Sequence, residues 1–307
     1  WDKSPQGLYE PIAYTLSGEG KRVRPTLLLT ASKIFGCDEQ KVMPAALAIE
    51  VFHNFTLLHD DVMDKAQVRR GRPTVHVKWN ENTAILSGDQ MMIEAYKLLA
   101  QLPDNYLPTV LRMFNKMGTE ICEGQQYDVD FESRQDVTIS EYLKMIEYKT
   151  SVLLATALQI GGYLAGATQT QQEALYAFGI HVGLAFQVQD DLLDVYGDPV
   201  SFGKAIGGDI CCNKKTFMLL NAFDKADVTS REQLYQLLQL PIDTPQQRSY
   251  KIKQVVAIYD ALDVKQVAQA FILEQTNKAC ACLDQLPQNQ FTNSLRELAH
   301  KLVNRNQ

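Results

Sequence analysis

Two short runs of the chain repeat one acidic pattern: LLHDDVMD at 57–64, with Asp60, Asp61 and Asp64, and QVQDDLLD at 187–194, with Asp190, Asp191 and Asp194. On a helix, residues four apart lie on one face about one turn apart. Asp60 and Asp64 therefore point the same way, with Asp61 roughly 100° around, and Asp190, Asp194 and Asp191 stand in the same relation. Carboxylates this close repel one another, and burying them is costly unless a cation lies between them. Mg²⁺ suits them, being a hard ion that takes one or two protein carboxylates and fills its other positions with water and phosphate oxygens. One such run alone is usually a solvated helix end. Two runs, each closing an apolar helical stretch and each followed by a glycine-containing segment, point instead to Mg²⁺ ions held around a diphosphate. The basic residues agree. Lys21, Arg22 and Arg24 lie in GEGKRVRP, Arg69 and Arg70 follow the first run, and Lys204, Lys214 and Lys215 follow the second. In a chain of net charge −6, packing cations beside acidic clusters makes sense when anions bridge them, and Arg forks and Lys point charges are the usual phosphate partners.

The elements that must hold these groups read as helix after helix. Pro25 stands in a first turn and Gly36 reads as a stop. Pro44 opens the helix carrying Asp60, and another helix runs from about Thr83 to Leu102, before Pro103. Thr138 with Glu141 and Thr170 with Glu173 are capping-box patterns, and Thr244-Pro245 opens a further helix. Strand-like alternation is scarce. The irregular stretches are Lys65 to Asn80 and Asp198 to Asn213, each directly after an acidic run, where mobile functional loops are expected.

The 307 residues are 46% hydrophobic, enough for a large core, and the expectation is one all-α domain spanning residues 1–307. The negative net charge gives no global basic footprint for nucleic acid. Six cysteines, at 37, 122, 211, 212, 280 and 282, form no CxxC pair and read as reduced thiols of a cytoplasmic protein. Trp1 rather than Met opens the sequence, so the natural start is expected upstream. Ser151 to Ala167 carries no charge, but it contains Gln159 and two adjacent glycines and ends in a Gln/Thr run. That predicts a buried core helix, not a membrane span.

Together these residues resemble the trans-type isoprenyl diphosphate synthases, the polyprenyl synthetase family. DDVMDKAQVRRG is similar to that family's first aspartate-rich motif with its trailing arginine pair. FQVQDDLLDVYGD is similar to the second motif, GKAIGGDICCNKKT to its downstream lysine segment, and EGQQYD and EYKTS to the Gln-x-x-Asp and Lys-Thr elements between. The resemblance implies a helical bundle around a central cavity, a homodimer, and head-to-tail condensation of isopentenyl diphosphate with an allylic diphosphate. It implies Mg²⁺, three per active site, ligated by Asp60, Asp64 and Asp190, with Asp61, Asp191 and Asp194 supporting. The hydroxyl of Thr150, the side-chain oxygen of Gln187 and the carbonyl of Lys149 would face the allylic cation. Arg69, Lys149, Lys204 and Lys214 would grip the allylic diphosphate. Lys21, Arg24, His53 and Arg70 would hold isopentenyl diphosphate, while Gln125 and Asp128 shape the site. From residue type alone, a core-edge histidine bonded to backbone is the favoured reading of His53, and the resemblance is what assigns it to the substrate. Glu19 stands where the family commonly has glycine, and the basic C-terminal tail of some members is reduced here to Lys301 and Arg305.

By the same resemblance, product length is set by the residues four and five positions before the first aspartate, Thr56 and Phe55. An aromatic there, with no two-residue insertion in the first motif, favours a twenty-carbon product, with fifteen carbons the runner-up. On an ideal helix Phe55 points well away from the aspartate face, so its role as a tunnel floor rests on the resemblance. Met91, Met92 and Tyr96 on the next helix bear on the same depth. Two other classes compete. A class I terpene cyclase or head-to-head synthase would ionise a diphosphate without needing isopentenyl diphosphate. An inactive subunit of a heteromeric synthase would be expected to lose an acidic motif.

Overall fold

The computed structural model describes residues 3–198 and 206–303; Lys204 lies outside them. The chain is all-α, and the strands among the described residues are one two-residue pair. It divides into two compact units, Trp1–Lys116 with Thr156–Glu173, and Met117–Ala155 with Ala174–Gln307.

In the first unit α1 (Gln6–Leu16), α2 (Val23–Ile34) and α3 (Glu39–Met63) precede a hairpin, α4 (Val75–Lys78) and α5 (Glu81–Leu99). Helix α3 forms because Asp38 caps it, accepting from Gln40 N at 3.1 Å, and because Val42, Ala45, Ala46, Ile49 and Phe52 repeat at helical spacing and are buried. It packs against α2 and, most extensively, α5. Pro44 lies inside this helix rather than opening it. The cap at Asp38 outweighs the one backbone bond that a proline in the second turn forgoes. Helix α5 likewise starts at Glu81, before the expected Thr83, because Asn80 Oδ1 accepts from Thr83 N at 2.8 Å.

The stretch after α3, expected to be irregular, contains strands β1 (Val68–Arg69) and β2 (Arg72–Pro73), antiparallel with Arg69 opposite Arg72. Arg70 at φ 53° and Gly71 at φ 74° make the turn. Two successive left-handed residues are what a tight hairpin with the native strand twist requires.

The second unit contains most of α6 (Leu107–Ser133), α7 (Ile139–Ile146), a π-helical turn (Glu147–Ser151) and the greater part of α9 (Gln169–Tyr196). Helices α10 (Gly208–Cys211), α11 (Phe217–Lys225), α12 (Val228–Leu238), α13 (Pro245–Ala261), α14 (Val264–Cys282) and α15 (Gln290–Val303) follow. Its core gathers Tyr142, Met145, Leu192, Phe217, Met218 and Tyr259, among others. A capping box forms as expected at Thr138/Glu141, and the helix expected to open at Thr244-Pro245 does so with a capping box of its own, Thr244/Gln247. The third forms two residues earlier than expected: Thr168 Oγ1 accepts from Gln171 N at 3.3 Å and Gln171 Oε1 accepts from Thr168 N at 2.9 Å. The uncharged segment at 151–167 forms α8 (Val152–Leu164), whose residues are nearly all buried. Among the described residues no helix is long and apolar enough to cross a membrane.

Candidate active site

In the first unit, α3 ends in the first acidic run. Asp64 is its C-cap, and Asp64 N donates to Asp60 O at 2.9 Å, so the two residues lie one turn apart as their spacing predicts. Asp61 turns inward and is 6% exposed. Arg69 Nε donates to its Oδ1 at 2.6 Å, and Arg69 Nη2 lies 3.6 Å from Asp60 Oδ2. Burial raises the Asp61 pKa, with Arg69 pulling it back. Asp61 thus anchors the hairpin that presents Arg69.

The basic loop before α2 meets the same region. Arg24 Nη1 donates to His53 Nε2 at 3.0 Å. A guanidinium only donates, so the ring proton sits on Nδ1. Burial, then the charges of Arg24, Arg70, Arg69 and Arg22, hold His53 well below its ordinary pKa, leaving a neutral acceptor that orients Arg24. Burial lowers Arg24 itself to about 10, with Glu50 opposing and Arg70 adding. Its Nε is buried without a hydrogen-bond partner, a donor suited to an anion. Arg70, at the hairpin tip, lays its guanidinium against Gly20, where a Cβ would stand 2.8 Å from Nη1. Arg22 fastens the loop: Nη1 donates to Glu50 Oε1 at 2.5 Å, and Nη2 to Leu16 O at 2.7 Å and Gly18 O at 2.9 Å. Lys21 and Glu19 are exposed. Asn54, Asp61, Arg69, Arg70 and Arg72 help line a cavity of about 50 Å³. Arg22 and Glu50 are contributors that sequence reading did not assign; Glu50 lies three residues before His53 on α3, on the neighbouring position of one helix face.

In the second unit, Lys149 and Thr150 sit in the π-helical turn. Such a turn takes carbonyls out of the i→i+4 ladder and is frequent at functional sites. Lys149 Nζ donates to Asp128 Oδ2 at 2.6 Å. Gly124 on α6 makes room for this turn, since a Cβ there would stand 2.8 Å from the Tyr148 carbonyl carbon. Gly124→Ala is therefore expected to destabilise the protein by about 1–3 kcal/mol through overpacking and to displace Lys149. A lower midpoint in thermal melts would check this, and an unchanged midpoint would contradict it.

The second acidic run lies in the last two turns of α9 and turns two of its aspartates inward, where the first turns one. Asp191 is buried, its Oδ2 accepting from Tyr142 Oη and, at 2.9 Å, from Phe217 N. Burial pushes its pKa up to about 7 against those two donors. Gln187 Nε2 donates to Asp191 Oδ1 at 3.5 Å. Asp194 Oδ2 accepts from Asp209 N at 3.0 Å. Asp191 and Asp194 thus hold the chain that follows, and Asp190 on the same helix is only partly buried. Lys214 is exposed and its charge acts on Asp191. Among the described residues no three His, Cys, Asp or Glu side chains form a metal cage. Mg²⁺ requires none, because one or two carboxylates with phosphate oxygens suffice, and the donor sets at Asp60/Asp64 and at Asp190 fit that need.

Residues 5–259 match the family described as Polyprenyl synthetase. The chain is 46% identical over 224 residues to a geranylgeranyl diphosphate synthase of Methanosarcina mazei, covering 72% of this chain and 69% of that one. It is 37% identical over 322 residues to a geranylfarnesyl diphosphate synthase of Natronomonas pharaonis, covering 99% and 91%. A crystal structure of a geranylgeranyl pyrophosphate synthase superposes with a TM-score of 0.95 at 41% identity, covering 100% of this chain and 94% of that one.

Proposed function

The chain belongs to the polyprenyl synthetase family, and from that premise we infer that it is a Mg²⁺-dependent trans-prenyltransferase condensing isopentenyl diphosphate head to tail with an allylic diphosphate. The observation that carries this reading is the repeated acidic run at the ends of α3 and α9, the first with Asp61 and the second with Asp191 and Asp194 turned inward as anchors, and each with a basic residue beside it. Asp60 and Asp64 in one unit and Asp190 in the other would hold the Mg²⁺, three ions per site, which neutralises charge on the leaving diphosphate. That both sets act on one diphosphate is part of the proposal.

Arg69, Lys149, Lys204 and Lys214 take the allylic diphosphate. Thr150, Gln187 and the Lys149 carbonyl offer dipoles rather than nucleophiles to the allylic cation. Lys21, Arg24, His53 and Arg70 take isopentenyl diphosphate, which must not ionise and so belongs among cations without a metal. The buried, unpartnered Arg24 Nε supports this assignment. We carry residues 1–307 as one functional domain, since the family match runs through both units. A cytoplasmic homodimer is proposed with it; Ile85, Leu86 and Ile93 on α5 are 43%, 59% and 47% exposed, apolar side chains of the kind a second copy would cover.

The test is a product assay with Mg²⁺, labelled isopentenyl diphosphate and, separately, five-, ten- and fifteen-carbon allylic primers. A dominant twenty-carbon alcohol after dephosphorylation is expected, and a fifteen-carbon one would keep the class and change the product. No incorporation with any primer would turn the reading toward a cyclase or an inactive subunit.

A further inference from the structure

Among the described residues Lys251 is the most deeply buried cation in the second unit, and nothing in the reaction above uses it. It is 1% exposed. Its Nζ donates to Asn213 Oδ1 at 2.7 Å and to Leu238 O at 3.2 Å, both neutral acceptors. Leu238 is the last residue of α12, so the ammonium rests on the negative end of a helix, the arrangement that tolerates a buried cation without a carboxylate. Asn213 closes the triangle by donating Nδ2 to Leu238 O at 3.0 Å.

What the triangle holds is the arch from Asp209 to Phe217. Its two ends are fastened by the second acidic run, Asp209 N to Asp194 and Phe217 N to Asp191. Its crest is the left-handed Asn213, at φ 55°, and the next residue is Lys214. Around Lys214 the backbone is tight: Lys214 N donates to Asp209 O at 3.0 Å and Thr216 N to Lys214 O at 2.9 Å. Left-handed backbone is uphill for any residue with a side chain, and Asn adopts it when that side chain is bonded locally. The bonds that secure the Asn213 side chain come from Lys251 and α12.

We propose that Lys251 is a positioning residue of the diphosphate site, acting through Asn213 to fix the left-handed turn that aims Lys214. This rests on the assignment of Lys214 to the allylic diphosphate. Both end fastenings and the bond from Asn213 to Leu238 O remain when Lys251 is replaced, so the fold survives, while Asn213 Oδ1 loses its donor and Lys214 its aim.

The experiment compares the full chain with Lys251→Met, Lys214→Ala and the double variant. Lys251→Met is expected to leave helical content unchanged. It should raise KM for the allylic diphosphate about tenfold, the scale of one charge-assisted hydrogen bond, with KM for isopentenyl diphosphate within about twofold. In the Lys214→Ala background it should add nothing. Both KM values rising together, or a further loss on top of Lys214→Ala, would overturn the proposal. If Lys251→Met fails to fold, Asn213→Gly keeps the turn accessible while deleting the side-chain bonds, and the same split in KM is expected; an unchanged allylic KM there overturns it. If the unaltered chain makes no product, the prenyltransferase reading falls by itself. Calorimetry with Mg²⁺ and inorganic diphosphate then decides the role of Lys251: about tenfold weaker binding by Lys251→Met supports it, and equal binding rejects it.

Discussion

Asp60→Asn and Asp190→Asn, made singly, are expected to lower turnover at least about a thousandfold, the scale of losing a principal electrostatic stabiliser of a developing charge, and to leave the folded protein as stable as before or slightly more so. Asp60 lies in the last turn of the long helix α3, where the helix dipole disfavours negative charge by about 0.3–1 kcal/mol per group, and neutralising it relieves that repulsion. Asp190 lies six residues before the end of α9, beyond that turn, and its neutralisation is expected to leave stability as it is. The amide keeps the carboxylate's shape, and the hydrogen bonds that Asp61, Asp191 and Asp194 make to the segments that follow stay in place. Single-turnover rates with an allylic primer at saturating Mg²⁺, set beside thermal melts, read both halves of this expectation. Near-normal turnover in both variants would remove the metal assignment. A collapse of the melt would mean that these aspartates are structural.

How much of this was legible in the sequence depended on whether the signal was local. The acidic runs, the helix ends at Thr138 and Thr244, and the buried character of the segment after Ser151 follow from spacing and composition within one turn or one helix, and the structure has them. The division of each run into inward anchors, Asp61 in the first and Asp191 and Asp194 in the second, and more exposed aspartates was not legible. It depends on Arg69, eight residues beyond Asp61, and on Tyr142 and Phe217, which reach Asp191 from other helices. The hairpin between Arg69 and Arg72 was missed because two-residue strands leave no alternation to read, although Arg70-Gly71 carries a glycine where the turn needs one. The π-helical turn at Glu147–Ser151 is likewise invisible to a 3.6-residue period. Pro44 misled because proline is a good opener of helices, whereas a competent cap stood six residues earlier at Asp38.

Phe55→Ala is expected to lengthen the dominant product by at least one five-carbon unit. Phe55 lies on α3 five residues before Asp60, a rise of about 7.5 Å. It stands at the head of an aromatic row. Its ring meets Phe52 edge-on at 5.3 Å, Phe52 meets Phe114 at 4.9 Å, and Phe114 meets Tyr96 at 5.3 Å. Phe52 and Phe114 are buried, at 4% and 0% exposed, whereas Phe55 is only partly so. Truncating Phe55 therefore opens space at the front of the row and leaves the wall behind it standing, which argues for one or two added units rather than unlimited growth. Thr56 carries the smaller side chain, its hydroxyl donating to His53 O at 2.8 Å, and Thr56→Ala is expected to change the product less than Phe55→Ala. The stability cost of Phe55→Ala should fall below the 3–5 kcal/mol typical of a fully buried phenylalanine. Sizing the dephosphorylated products of wild type, Phe55→Ala and Thr56→Ala by chromatography separates the outcomes. A longer product from Phe55→Ala alone places the floor at that ring. An unchanged product moves the floor deeper, toward Phe52 and Phe114, where the same substitution should then lengthen the chain.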